Sequence, residues 1–403
     1  MSVLFGHPSG NPNSHQAALA HFEAHRLEAF CVPWMPSPLT LQLLESVIPL
    51  RPRARRLGRR RFSPLADAPK IQGRLGEIRR LIMRGFGRGD EALSYEANDW
   101  LMRTMRRECR RASVRAVHAY EDCSLWQFQE AKRLGKACIY DMPIGYYSAW
   151  EKTQAELARE FVDWLPPGGL RSARYVRPHQ KRQEMELADL VLAPSSFVAN
   201  TIRSFHPKKD LVLAPYGVNL EFWTPGARSD GSEVLRFIYA GQISLRKGIP
   251  SLLQAWERAA LRSAELQLVG SWYLNDSKRA SLPRGVTYVP ALSPEALREY
   301  YRRANVFVFP SFFEGFALVL LEAMACGLPA IASAATGGAD VLTEASGCIL
   351  PVGNIDYLVE SLRWFEQNRD RVPAMGLAAR KQAEVCTWER YRRAVTQATA
   401  RFQ

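Results

Sequence analysis

Short apolar runs alternate with amphipathic stretches along most of this chain. Val3–Phe5 predicts a first strand, followed by a turn-rich stretch over Gly6–Ser14 and a helix from about Ser14 to His25. Val114–Tyr120, Ala137–Asp141, Leu190–Ala193 and Leu211–Ala214 read as further strands. Helices are expected at Leu125–Leu134 and at Ser196–Phe205, the latter capped by Ser195 or Ser196. The rhythm restarts at Phe237–Ala240. From there strands at Leu266–Val269, Val286–Val289, Val306–Phe309 and Ala330–Ala334 alternate with helices at Ile249–Leu261, Pro294–Arg303 and Leu318–Ala325.

Strands alternating with helices predict parallel sheets covered on both faces. The break between the two runs is rich in Pro, Gly and Ser, over Pro215–Asn219 and Phe222–Ser232, as a domain boundary should be. The expectation is therefore an α/β protein of two doubly wound domains, residues 1–222 and 223–385, with a last segment at 386–403. In such sheets a ligand sits beyond the carboxyl ends of the strands, so two facing edges would form a cleft. Residues 51–111 interrupt the pattern; they are Arg-rich and expected to be helical in parts.

Composition narrows the picture. With 403 residues, 47% hydrophobic and 23% charged, the chain is globular and long enough for two cores. No apolar run reaches the length of a membrane span, and the N-terminal residues do not resemble a signal peptide. Seven cysteines are scattered without a Cys-x-x-Cys pair, so neither a disulfide framework nor a zinc site is expected, and a reducing cytoplasm is the expected home. The formal net charge of +14 calls for an anionic partner. No helix-turn-helix or basic-aromatic interleaving supports nucleic acid. A non-enzymatic polyanion-binding protein is the weakest of the readings considered, because it leaves the next segment unexplained.

That segment is Pro310–Pro329. After the strand comes a loop with Glu314 and Gly315, then a helix apolar on all sides except for Glu322. An all-apolar helix is a buried one, and a carboxylate on it needs a partner. The helix start near Ala317 collects unpaired N–H groups, which suits a phosphate. Gly315 allows close backbone approach, and Glu314 can accept hydrogen bonds from sugar hydroxyls. Gly327 and Pro329 end the helix.

The Glu314-x7-Glu322 spacing within Glu-Gly-Phe-Ala-Leu…Leu-Glu-Ala-Met-Ala-Cys-Gly-Leu-Pro resembles the signature of the retaining glycosyltransferases of family 4, which have the GT-B fold. The resemblance implies that Glu314 contacts the donor sugar, that the backbone of Phe316, Ala317 and Leu318 holds the diphosphate, and that Glu322 binds the ribose. Ala240-Gly241-Gln242-Ile243-Ser244-Leu245-Arg246-Lys247-Gly248 resembles the family's Gly-Arg…Lys-Gly loop, whose cations neutralise the diphosphate. Gln242 stands where Arg is usual, so Lys247 is carried over and Arg246 is taken as the substitute. Thr336-Gly337-Gly338-Ala339-Asp340 resembles the family's Gly-Gly-x-Glu turn. Thr387-Trp388-Glu389-Arg390 resembles the start of its final helix, which crosses back to the first domain.

The implied activity is metal-independent sugar transfer from a nucleotide-diphosphate sugar, with no cofactor, onto a saccharide or lipid-linked acceptor, in cell-surface polysaccharide or glycolipid synthesis. An epimerase or hydrolase of the same fold is the alternative. The first domain departs from the family. His7–His15 replaces the usual Gly-Gly loop, leaving Gly10 and Asn11 to present backbone N–H groups, and no His follows Ala137–Tyr140. His118, Glu121 and Asp141 are the candidate cleft residues there. Arg51, Arg53, Arg55, Arg56, Arg59, Arg60 and Arg61 form a basic stretch. Arg74, Arg79, Arg80, Arg84 and Arg88, interleaved with apolar residues, predict a basic amphipathic helix. The first domain is therefore expected to dock on an anionic membrane surface, peripherally at its cytoplasmic face.

Overall fold

A computed structural model describes residues 2–46, 57–58, 60–85, 90–166, 169, 177–226 and 234–402. The first domain holds seven parallel strands: β1 (Ser2–Gly6), β2 (Leu27–Val32), β3 (Lys70–Gln72), β4 (Val114–Tyr120), β5 (Ala137–Asp141), β6 (Leu190–Ala193) and β7 (Leu211–Leu213). Their order is β3-β2-β1-β4-β5-β6-β7. The second holds six: β8 (Leu235–Ala240), β9 (Ala264–Val269), β10 (Val286–Val289), β11 (Val306–Phe309), β12 (Ala330–Ser333) and β13 (Gly347–Leu350). Their order is β10-β9-β8-β11-β12-β13, again all parallel. The central strands β1, β4, β8 and β11 are covered on both faces and are apolar along most of their length for that reason, with Arg115, His118 and Arg236 as the interruptions in β4 and β8.

The first helix, Pro12–Glu23, begins two residues before its expected start because Asn11 caps it. Asn11 Oδ1 accepts from Ser14 N at 2.8 Å, and Ser14 Oγ accepts from Asn11 N at 2.9 Å. The last helix, Trp388–Thr399, starts on Thr387 and returns to this one: Arg392 binds Glu23 and Gln16, each at 2.7 Å. The two chain crossings lie side by side, with a bridge between Val218 and Thr387.

Two expectations for residues 51–111 change. The segment is not an interruption of the rhythm throughout, since it supplies the edge strand β3 and the helices Arg74–Gly85 and Asp90–Glu108. Nor is its arginine face wholly outward. Arg60 and Arg80 are buried on the buried Glu77, at 3.0 and 2.9 Å, because a lone interior carboxylate requires cations. Arg51, Arg53, Arg55, Arg56, Arg59 and Arg88, and the side chain of Arg84, lie outside the described residues.

Candidate active site

The site grows from two loops at the carboxyl edge of the second sheet. Gly248 has φ +72°, and a Cβ there would lie 2.2 Å from the Pro310 carbonyl oxygen, so only glycine lets the loops after β8 and β11 touch. Phe312 N and Ser311 Oγ donate to the Arg246 carbonyl at 2.8 and 3.1 Å. This contact carries Arg246 and Lys247 onto Glu314. Arg246 Nη1 donates to the Phe313 carbonyl at 2.8 Å and lies 3.4 Å from both Glu314 oxygens, while Lys247 Nζ donates to Glu314 Oε2. Lys247 is buried above the Phe309 ring. Desolvation, and then the Arg246 charge, pull its pKa down to about 6; the touching Glu314 carboxylate favours the ammonium. Gln242 is at the exposed rim, with its carbonyl accepting from Tyr239 Oη, and Gly241 lies against Gly270.

The helix Leu318–Ala325 follows without a side-chain cap. The Ala317 N–H is already bound to the Thr336 carbonyl at 3.0 Å, which corrects its expected role as a ligand donor. Phe316, Leu318 and Val319 have no protein acceptor for their N–H groups among the described residues. These three amides form the open end of the helix. Glu322, one turn on, makes no hydrogen bond or ion pair among those residues, and burial pushes its carboxyl up to about 7.

The Glu314 loop faces the first domain directly. A Cβ on Gly315 would lie 1.6 Å from the Pro143 carbonyl oxygen, so glycine is what allows the two backbones to meet. Ser195 Oγ donates to the Gly315 carbonyl at 2.6 Å, Ser196 N to Asp340 at 2.8 Å, and Gly145 N to the Glu314 carbonyl at 3.3 Å. Phe313 lies between Trp150 and Phe197, 5.4 Å from each.

The first-domain candidates fall differently. His118 is fully enclosed, 2.9 Å from His21 and 3.6 Å from Asp141, with burial pushing its pKa down to about 3. It ends a central strand but faces the helix Pro12–Glu23, not the cleft. Asp141 is covered by Tyr391 of the returning helix, and its pKa is pushed up to about 7 by burial. Glu121 is paired at 3.2 Å with Lys181, which also holds Asp122. The Gly10 and Asn11 amides are taken by His7 Nδ1 and Ser14 Oγ, at 3.0 and 2.9 Å, so they are not free for a phosphate. His7 and Lys181 were not anticipated, because their placement depends on tertiary contacts that leave no spacing signal.

Two doubly wound domains meeting across a cleft, with a helix that crosses back, define the GT-B class. Residues 230–382 match the family profile "Glycosyl transferases group 1". It is 29% identical over 236 residues to a D-inositol 3-phosphate glycosyltransferase of Kribbella flavida; the match covers 52% of this chain and 55% of that one. The chain spans about half the length of the curated relatives it matches. Sucrose-phosphate synthase from Thermosynechococcus elongatus superposes over 100% of this chain and 98% of its own, with TM-score 0.67 and 19% identity. Anabaena HepE in complex with UDP-glucose superposes over 100% of both chains, with TM-score 0.62 and 14% identity.

Proposed function

We propose that the chain transfers a sugar from a nucleotide-diphosphate sugar to an acceptor, with retention at the anomeric carbon and without a metal. The carrying observation is the cluster of Arg246 and Lys247 on Glu314 beside the three open amides of Phe316, Leu318 and Val319. Two cations and a helix start aimed at one place suit a leaving diphosphate that gains charge as the glycosidic bond breaks. On this reading Glu314 takes the sugar hydroxyls and Glu322 the ribose. UDP-glucose in the Anabaena protein supports a nucleotide-sugar donor.

The test is a panel of nucleotide sugars incubated with and without saccharide or lipid-linked acceptors, in EDTA. Product should form only with acceptor, survive EDTA undiminished, and keep the donor's anomeric coupling in proton NMR. Breakdown or epimerisation of the donor alone would favour the alternative chemistry. Activity lost in EDTA and restored by magnesium or manganese would overturn metal independence.

Glu322 adds a pH signature. A carboxyl raised to about 7 is protonated below that pH, and the protonated form loses its stronger, charge-assisted acceptor. The nucleotide-sugar diphosphate has no titration in this range. Donor affinity should therefore be flat above pH 7 and fall by up to about tenfold per pH unit from pH 7 towards 6, below which protonation of Lys247 works against the fall. Glu322→Gln should flatten the profile at the weaker level. Calorimetric titration from pH 5.5 to 8.5 reads this, and a flat wild-type profile would reject the assignment.

The acceptor is proposed to be membrane-borne, in polysaccharide or glycolipid synthesis, with the chain peripheral at the cytoplasmic face. Leu39, Leu43 and Leu75 are 71%, 70% and 84% exposed, and Arg61 and Arg74 are exposed on the same hollow as Pro38 and Thr40. Exposed leucines next in the chain to the residues of an arginine-bearing hollow suit a lipid interface. Among the described residues no helix is long and apolar enough to cross a membrane. Co-sedimentation should require anionic vesicles, weaken with salt, and fall in a Leu39→Ser, Leu43→Ser, Leu75→Ser variant. Failure of the wild type to bind at low salt would discard the membrane.

A further inference from the structure

The loop after β1 turns two hydrogen-bond donors toward each other. His7 Nδ1 receives the backbone N–H of Ser9 at 3.1 Å and that of Gly10 at 3.0 Å. A backbone N–H cannot reverse its role, so Nδ1 is the bare nitrogen and the ring proton sits on Nε2. The ring is neutral, since burial and then the neighbouring His15 push its pKa down to about 3. The contact of Nε2 is Asn11 Nδ2 at 3.4 Å. Asn11 cannot flip to offer its oxygen, because Oδ1 already accepts from Ser14 N at 2.8 Å as the cap of the first helix. Two N–H donors therefore face each other, on an imidazole that is only 8% exposed. A buried N–H left in that state costs stability, and an oxygen atom beside His7 Nε2 would relieve it.

The location suits a substrate. His7 stands at the carboxyl end of the central strand β1, with its ring edge-on to Tyr120 at the end of β4, centroids 4.7 Å apart. Asn13, two residues beyond Asn11, lies beside Tyr216, whose ring is 6.0 Å from that of Phe316, the first residue of the open helix end. The loop thus approaches the diphosphate half of the site.

We infer that His7 Nε2–H and Asn11 Nδ2–H together form a two-donor cradle for an oxygen of the substrate, filling the place where this loop has no free backbone amides to give. The chemistry of the ligand atom is a hydrogen-bond-accepting oxygen, either a phosphoryl oxygen of the donor or a hydroxyl of the acceptor. Its identity as a substrate oxygen rests on the glycosyl-transfer reading. The cradle is neutral, so it positions through direction and not through charge.

Asn11→Asp is the decisive variant. Aspartate caps the helix as well as asparagine does, but it turns the Nδ2 donor into an oxygen that accepts from His7 Nε2–H. The clash of donors is relieved and the cradle is filled from within. The melting temperature should rise by about 2–4 °C while kcat/KM falls about 10–100-fold, the equivalent of one lost hydrogen bond to a charged or reacting group. His7→Asn keeps an acceptor near Nδ1 for the Ser9 and Gly10 amides and deletes only the far N–H; it should lose activity without losing stability. His7→Gln, which retains a donor near Nε2, should recover part of that activity.

UDP and UDP-glucose are the probes. Weaker calorimetric binding of UDP to the Asn11→Asp protein assigns the oxygen to the diphosphate. Intact UDP binding with reduced turnover assigns it to the sugar or the acceptor. A wild type that binds UDP, with an Asn11→Asp variant of unchanged binding and turnover, overturns the cradle alone. A wild type that binds no nucleotide counts against the glycosyl-transfer reading alone; the rise in melting temperature then still decides the donor geometry, and its absence overturns it.

Discussion

Replacing Lys247 with alanine should lower turnover of a nucleotide-sugar donor by about 10²–10³-fold, the usual cost of removing a preorganised charge from a developing anion. The melting temperature should stay within a few degrees of the parent. These two halves have separate causes. Lys247 is buried beside Arg246, so the cost of desolvating its charge offsets much of what its contact with Glu314 returns, and its contribution to stability is small. Glu314 does not lose its last cation, because Arg246 Nη1 lies 3.4 Å from both of its oxygens. When the diphosphate leaves, the same burial becomes an advantage, since a cation screened from water acts more strongly on the charge that forms. Arg246→Ala should cost less in turnover but more in stability, because Arg246 also holds the Phe313 carbonyl at 2.8 Å. Initial rates and thermal melts of both variants measure this. Turnover of Lys247→Ala within threefold of wild type would remove Lys247 from the chemistry.

The second-domain candidates Arg246, Lys247 and Glu314 come together in the fold, and the first-domain candidates do not join them. Glu322 was visible because a carboxylate interrupts an otherwise apolar helix, and Arg246 and Lys247 because their loop resembles the family's Gly-Arg…Lys-Gly loop. Strands such as Val306–Phe309 are continuous apolar runs, since both faces are covered. Lys70–Gln72 was missed for the opposite reason: it is a three-residue edge strand with partly exposed side chains, and it carries no pattern. His118 shows a different limit. Its place near the end of a strand suggested the cleft, but pattern does not say which face of a doubly covered sheet a residue takes. His7 is three residues from the Gly10 that was suspected, yet the role inferred for it turns on a ring nitrogen whose proton is set by the fold of the loop.

Glu184→Ala should be the most destabilising single change outside the site, by about 3–5 kcal/mol. Its side chain is fully buried and gathers five donors. Oε1 accepts from Ser124 N at 2.8 Å, Leu125 N at 3.1 Å and Gln180 Nε2 at 3.0 Å; Oε2 accepts from Asp122 N and from Tyr140 Oη, each at 2.9 Å. The helix Leu125–Arg133 needs this, because its own cap residue does not serve it: Ser124 Oγ is turned to the Tyr120 carbonyl at 2.5 Å. A carboxylate from a neighbouring helix therefore supplies both the missing acceptor and the negative charge that a helix start favours. Burial raises its pKa while the surrounding donors resist. Truncation leaves three backbone N–H groups and a phenol without an acceptor in a dry interior. With the first domain as the melting unit, the shift is about 6–15 °C. Glu184→Gln keeps the shape and one carbonyl oxygen, and should lose roughly half as much, so the pair of variants separates lost hydrogen bonds from lost volume. Calorimetry on both decides it. A Glu184→Ala protein that melts within about 2 °C of wild type would show that water or the Ser124 hydroxyl can take over the helix start, and that the carboxylate is not what holds the turn after β4 in place.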